Sequence, residues 1–389
     1  MEIDELFSVG MVILLGLLGG KLSHRVGIPK VTGYMIVGLV FGPSVIGLIS
    51  DTTLSDIHMI NDIALGMILF AIGGEVDLNR MRAVGRQVIL IAAAESLGAM
   101  TLVFLIVLAI TGDYGLAVLL GSISIATAPG VTLLVVREYR TRGTLTEHLL
   151  AVVALNNIFC LVVFRLFFAL YSYLHGEPGF VTLASLAKEM AGSIIIGGTI
   201  GAMITYWEQK IDDLSELLLV IIGGLLLGIG LSKTFGISYL IVCLIIGAVT
   251  NNLSMMHRLV YAELRQTEMP FYIAFFVLSG ASLHLNSMAH LGLLGIAYLV
   301  TRPLGKYLGA YLAGRKLGAP DAVTNLMGMA LLPQAGVAIG MVLTVSEVNP
   351  DLGRVIGTVI LSSVIVYEGV GPFLTRLALS RAHEIYLKE

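Results

Sequence analysis

Charge is scarce in this chain. Asp, Glu, Lys and Arg make up 13% of its 389 residues against 57% hydrophobic residues, and the mean hydropathy is +0.94. A soluble domain is excluded, because so few polar side chains cannot cover that much apolar surface in water. Cysteine is nearly absent: Cys160 and Cys243 both lie in apolar stretches, which argues against a disulfide framework or a thiolate metal site. A nucleophile elbow, a metal-ligand cluster and a Walker A loop are also missing, and Gly20-Lys21-Leu22 lacks the hydroxyl residue a P-loop requires. An enzyme is therefore not expected, nor a cofactor, nor a nucleic-acid partner. The first stretch, Met1 to Leu22, has no basic leader and no Ala-x-Ala site, so it reads as a membrane span and not as a signal peptide.

What the chain has in abundance is apolar runs of about twenty residues, the length that crosses a bilayer as a helix. About thirteen of them follow one another with no room for a soluble domain, so residues 1–389 read as a single all-α polytopic membrane domain. Lysine and arginine fall on alternate connections. Lys21, Arg25, Lys30, Arg80, Arg82, Arg86, Arg137, Arg140, Arg142, Lys210, Arg258, Arg265, Arg315, Lys316, Arg376, Arg381 and Lys388 lie on one side, and only Lys188, Lys233 and Arg354 on the other. The positive-inside rule then puts the N-terminus outside and the C-terminus in the cytoplasm.

Two of the runs are interrupted near their middles, by Ala126-Thr127-Ala128-Pro129-Gly130 and by Leu332-Pro333-Gln334-Ala335-Gly336. Broken backbone survives inside hydrocarbon only where protein or a watery cavity satisfies its freed amides and carbonyls. Breaks at matching places in two halves are the mark of a transporter whose half-helix ends converge on a midplane site. Each falls in the penultimate member of a five-span group, and the two broken spans run in opposite directions, as inverted repeats require. Gly16-x-x-x-Gly20, Gly197-x-x-x-Gly201, Gly224-x-x-x-Gly228 and Gly305-x-x-x-Gly309 are places for close helix approach, read as internal packing before any dimer seam.

Glu95, Arg165, Arg302, Lys306 and Glu368 lie inside spans, where each charge needs a partner, a water path or a function. Counting from Arg86, Arg315 and Arg376, three of them, Glu95, Lys306 and Glu368, sit about 12 to 14 Å deep and can share one layer. Arg302 and Lys306 stack at i, i+4 on one helical face and call for a carboxylate. Glu95 and Glu368 are the deep candidates, with Glu368 expected to hydrogen-bond backbone freed near Gly369-Val370-Gly371-Pro372, and Arg165 expected to snorkel outward. Asn156 and Asn157, near the centre of the sixth span, and Ser122, Ser124, Thr127 and Thr132 beside the first break offer hard oxygens suited to an alkali cation.

Five patterns in order carry a family resemblance: Leu22-Ser23-His24-Arg25-Val26-Gly27-Ile28-Pro29-Lys30-Val31-Thr32-Gly33-Tyr34 leading to Gly42-Pro43; Leu69-Phe70-Ala71-Ile72-Gly73-Gly74-Glu75-Val76-Asp77-Leu78; Phe275-Phe276-Val277-Leu278-Ser279-Gly280-Ala281-Ser282-Leu283; Arg302-Pro303-Leu304-Gly305-Lys306; and Leu332-Pro333-Gln334-Ala335-Gly336-Val337-Ala338. Over nearly its whole length the chain resembles the membrane domain of the second monovalent cation:proton antiporter family, which includes Kef-type transporters and bacterial sodium/proton antiporters. The resemblance implies two crossing broken helices and exchange of Na+ or K+ for H+ by an elevator-like motion. It also implies a homodimer in a bacterial or archaeal inner membrane. The mobile core is expected at about 58–173 and 268–380, and the dimerisation scaffold at about 1–57 and 181–252.

One departure from the family pattern bears on mechanism. Members typically carry Asp-Asp, Asn-Asp or Gln-Asp in the sixth span, with the second carboxylate as the shared ion and proton site. Here the pair is Asn156-Asn157, and amides cannot exchange protons. Lys306 resembles the lysine that in some electrogenic members pairs with the first aspartate. If exchange against protons operates, Glu95 is the expected acid, Lys306 its partner, and Asn156, Asn157 and Thr127 neutral ligands. An uncoupled cation permease and a transport-inactive scaffold are the other readings of this pair.

Overall fold

The computed structural model describes residues 5–49, 58–74, 78–175, 183–210, 214–254, 257–281, 292–334 and 336–385. Among them are fifteen helices and no strand: α1 (Glu5–Arg25), α2 (Lys30–Phe41), α3 (His58–Gly73), α4 (Leu78–Thr111), α5 (Tyr114–Ile123), α6 (Pro129–Glu138), α7 (Thr144–His175), α8 (Leu183–Glu208), α9 (Leu214–Phe235), α10 (Tyr239–Leu253), α11 (His257–Ala281), α12 (Gly292–Lys316), α13 (Asp321–Ala330), α14 (Gly336–Val348) and α15 (Pro350–Arg381). A chain that must satisfy every backbone group without water has this solution or a closed barrel. The stretches Gly85–Thr111, Thr144–Tyr173, Ala187–Glu208, Glu216–Phe235 and Pro350–Arg381 are each long and apolar enough to cross a membrane unbroken. Taking α5 with α6 and α13 with α14 as one crossing each reduces fifteen helices to thirteen, the number of apolar runs in the sequence.

Local chemistry sets the helix ends. The Asp113 side chain accepts from the Leu116 N–H at 3.0 Å to start α5, and Asn349 does the same for Leu352 at 3.0 Å to start α15. Pro129 and Pro350 occupy first-turn positions, where the missing N–H goes unneeded. Inside α12, Pro303 cannot donate to the carbonyl of Leu299. The Tyr367 hydroxyl replaces that donor, 3.1 Å from Leu299 O.

The helices pack in two groups. α4, α5, α7, α12, α13, α14 and α15 form one, while α1 and α2 pack with α11, and α10 packs with α3, α8 and α9. Thus α3 and α11 lean mainly on α10 and α2, although α3 also touches α6. Within the first group α4 and α12 are in the most intimate contact. A Cβ on Gly305 would lie 2.6 Å from Ala99 Cα, and one on Gly309 would lie 2.6 Å from Glu95 Cα. The other three Gly-x-x-x-Gly pairs also pack inside the chain, against Val277 and Tyr34, against Ile245 and Val249, and against Ile204 and Ile246. Cys160 and Cys243 are buried free thiols.

Candidate functional site at the crossed helix breaks

α5 stops at Ile123 and α6 begins at Pro129, so the first break is 124–128. α13 stops at Ala330 and α14 begins at Gly336, so the second is 331–335. Ala335 lies outside the described residues, as do Glu75, Val76, Asp77, Ser282 and Leu283 of the sequence patterns. The breaks touch: the Ala128 N–H donates to Pro333 O at 2.8 Å. Gln334 Nε2 crosses in the other direction, donating to Ile123 O at 3.0 Å and lying 3.0 Å from the Tyr298 hydroxyl.

The two buried cations of α12 take up most of the remaining carbonyls. The Arg302 guanidinium donates to Ser124 O at 3.0 Å, Ala126 O at 2.6 Å and Leu332 O at 2.8 Å, joining both breaks, and it stacks 4.6 Å over the Tyr367 ring. Lys306 Nζ donates to Ile125 O at 2.9 Å, to Thr127 Oγ1 at 3.2 Å and to Glu95 Oε2 at 2.8 Å. The carbonyl ends of α5 and α13 carry the negative pole of their helix dipoles, so cations belong there. Lys306 and Glu95 form an ion pair with both side chains 0% exposed. Dry ion pairs lose water on both partners, and removal of either partner leaves a buried charge uncompensated. The glycine seam makes this pair possible: Gly305 and Gly309 flank Lys306 and rest on Gly98 and on the backbone of Ala94 and Glu95.

Asn156 joins the cluster. Its Nδ2 donates to Thr127 Oγ1 at 3.2 Å, and the Ser96 hydroxyl bridges Glu95 Oε1 at 3.1 Å and Asn156 Oδ1 at 3.4 Å. Asn157 makes no hydrogen bond to it. Its Nδ2 caps back onto Val153 O at 2.8 Å, and its buried Oδ1 has no hydrogen-bond partner. Asn157 instead lines a cavity of about 10 Å³ with Leu69 of α3, Leu240 and Leu244 of α10 and Val337 of α14, room for about one water.

One sequence expectation meets a different arrangement. Glu368 is buried with both carboxyl oxygens lacking a hydrogen-bond partner, and its helix continues through Pro372, so it takes up no freed backbone donor. Arg165 is partly exposed and faces Glu189 of α8 at 3.7 Å. Residues that composition and depth passed over are Ser96, Tyr298 and Tyr367. Tyr298, Arg302 and Lys306 form one polar stripe at four-residue spacing, a signal present in the sequence.

Two broken helices crossing around buried charges define an ion-translocating membrane protein. The family model for the sodium/hydrogen exchanger, transmembrane, matches residues 10–376, and the chain belongs to that family, whose members are cation/proton antiporters and not enzymes. The chain is 31% identical over 206 residues to the Na(+)/H(+)-K(+) antiporter GerN of Bacillus cereus, a match covering 51% of this chain and 50% of GerN. It is 25% identical over 380 residues to the putative cation/proton antiporter YbaL of Escherichia coli, covering 88% of this chain and 67% of that one. In fold it is similar to the sodium proton antiporter MjNhaP1 of Methanocaldococcus jannaschii, with a TM-score of 0.82 at 18% identity, covering 98% of this chain and 99% of that one.

Proposed function

We propose that this protein exchanges Na+ or K+ for H+ and that the Lys306 ammonium is the resident of the cation site. The observation that carries the reading is the donor set around Nζ: one carboxylate oxygen, one carbonyl and one hydroxyl, all hard oxygens within 3.2 Å. An alkali cation suits the same atoms. Cation and ammonium cannot occupy them together, and a dry site tolerates no surplus charge, so entry of the cation expels the Lys306 proton. Glu95 is the anion both compete for, Thr127 and Asn156 are neutral ligands, and Arg302 fixes the carbonyls. Asn157 belongs to the cavity between α7, α10 and α14 and serves as a polar position on the path, outside the ligand set.

Alternating access follows if α4 to α7 and α12 to α15 move as one body against α1 to α3 and α8 to α11. The packing supports this division, which transfers α3 and α11 from the expected core to the scaffold. The scaffold is the proposed homodimer face, in a bacterial or archaeal inner membrane with the N-terminus outside. An uncoupled cation permease is the alternative that Asn156-Asn157 favours. Glu95→Gln in proteoliposomes tests the reading. Cation-driven proton flux is expected to vanish, flux at the wild-type rate removes Glu95 from coupling, and a proton-free cation current in the wild type supports the permease.

A further inference from the structure

Behind the ion pair, on the outer side of the α4 and α12 seam, runs a groove of about 690 Å³. Its floor is Ala94, Gly98, Gly305 and Gly309, the small residues that bring the two helices together, and its rims are leucines. Leu105, Leu308 and Leu312 are 53%, 47% and 62% exposed. Apolar rims over a floor of glycine and alanine make a slot shaped for a flexible hydrocarbon chain. Nineteen residues of α4 separate Arg86 from Leu105, about 28 Å of helix. That exceeds the thickness of one leaflet's hydrocarbon, about 15 Å.

One end of the slot differs from the rest. Arg86 of α4 and Lys316 of α12 line it there, both exposed, and neither has an ion-pair partner among the described residues. They stand at the membrane edge that the charge pattern assigns to the cytoplasm, where acidic lipid headgroups concentrate and basic side chains attract them.

We propose that this groove is a binding site for an anionic phospholipid, its headgroup held by Arg86 and Lys316 and one acyl chain lying on the glycine floor. The chain would fill the far side of the seam whose near side carries Glu95 and Lys306, so a bound lipid braces the contact that holds the ion pair together. Charge complementarity selects the occupant. A transmembrane helix from a second copy would bring its own side chains onto a floor that offers them no polar partner, and would leave two cations at its mouth. The site stands whether or not Lys306 proves to carry the exchanged proton.

The test is native mass spectrometry of the purified protein titrated with phosphatidylglycerol or phosphatidylcholine, for the wild type and the double variant Arg86→Glu/Lys316→Glu. Both positions are on the surface, so the double variant is expected to fold. Retention of phosphatidylglycerol over phosphatidylcholine by roughly tenfold to thirtyfold is expected in the wild type, the factor that two surface cations supply toward an acidic headgroup. That preference should be lost in the double variant. Equal retention of both lipids by the wild type, or a preference that survives the charge reversal, overturns the proposal. So does efficient disulfide trapping of a dimer through Leu312→Cys, which would put a second copy in the groove.

Discussion

The two helix breaks touch each other and differ in chemistry. The first, 124–128, turns Ser124, Ile125 and Ala126 carbonyls toward Arg302 and Lys306, so it is held by full charges and borders Glu95. The second, 331–335, relies on neutral groups, with Pro333 O receiving a backbone N–H and Gln334 reaching Ile123 O, and Arg302 touches it only at Leu332 O. In the proposed exchange the ion meets the charged first break, and the neutral second break aligns it.

Arg302→Ala should damage the comparison most, because it removes donors from both breaks at once. A buried acceptor left without its hydrogen bond costs about 1–3 kcal/mol, and three are orphaned together. Thermal unfolding in detergent should show the largest fall in midpoint of any single substitution at the site, and a fall no greater than that of Gln334→Leu would refute Arg302 as the clamp. Gln334→Leu leaves the buried Tyr298 hydroxyl without its partner and takes one of two donors from Ile123 O, which keeps the Ala126 N–H at 3.2 Å, so it should destabilise by about 1–3 kcal/mol while cation-driven proton flux in vesicles persists. Abolished flux at wild-type stability would instead put the second break in the exchange chemistry. The adjacent asparagines provide the finest cut. Asn156→Ala, which loses the contacts to Thr127 and Ser96, should weaken the apparent cation affinity, and Asn157→Ala should change it less. The reverse order would move the ion toward the cavity beside Leu69 and Val337.

Much of this arrangement can be read from the sequence. Proline and glycine in the middle of membrane-length runs locate both breaks, because they mark backbone that lipid cannot satisfy. Depth counted from the flanking arginines brings Glu95 and Lys306 into one layer, and Gly305-x-x-x-Gly309 announces a close helix contact, although only the fold shows that Ala94 and Gly98 lie across it. The carbonyls of Ser124, Ile125, Ala126 and Leu332 are invisible in advance, since every residue has one and only the chain path aims it. The divergence of Asn156 and Asn157 has the same origin: neighbours on an α-helix point about 100° apart, so adjacency in sequence separates them in space. Glu368 lacks the expected partners, because a continuous α15 frees no N–H toward it.

Proton release on cation binding tests the central claim most directly. Purified protein in weakly buffered detergent solution is titrated with Na+ or K+ while the pH is followed, for the wild type and for Lys306→Gln. The wild type should release a proton for each cation it binds, and Lys306→Gln should bind the cation while releasing none. Undiminished proton release from Lys306→Gln would contradict the account, placing the exchangeable proton on another group.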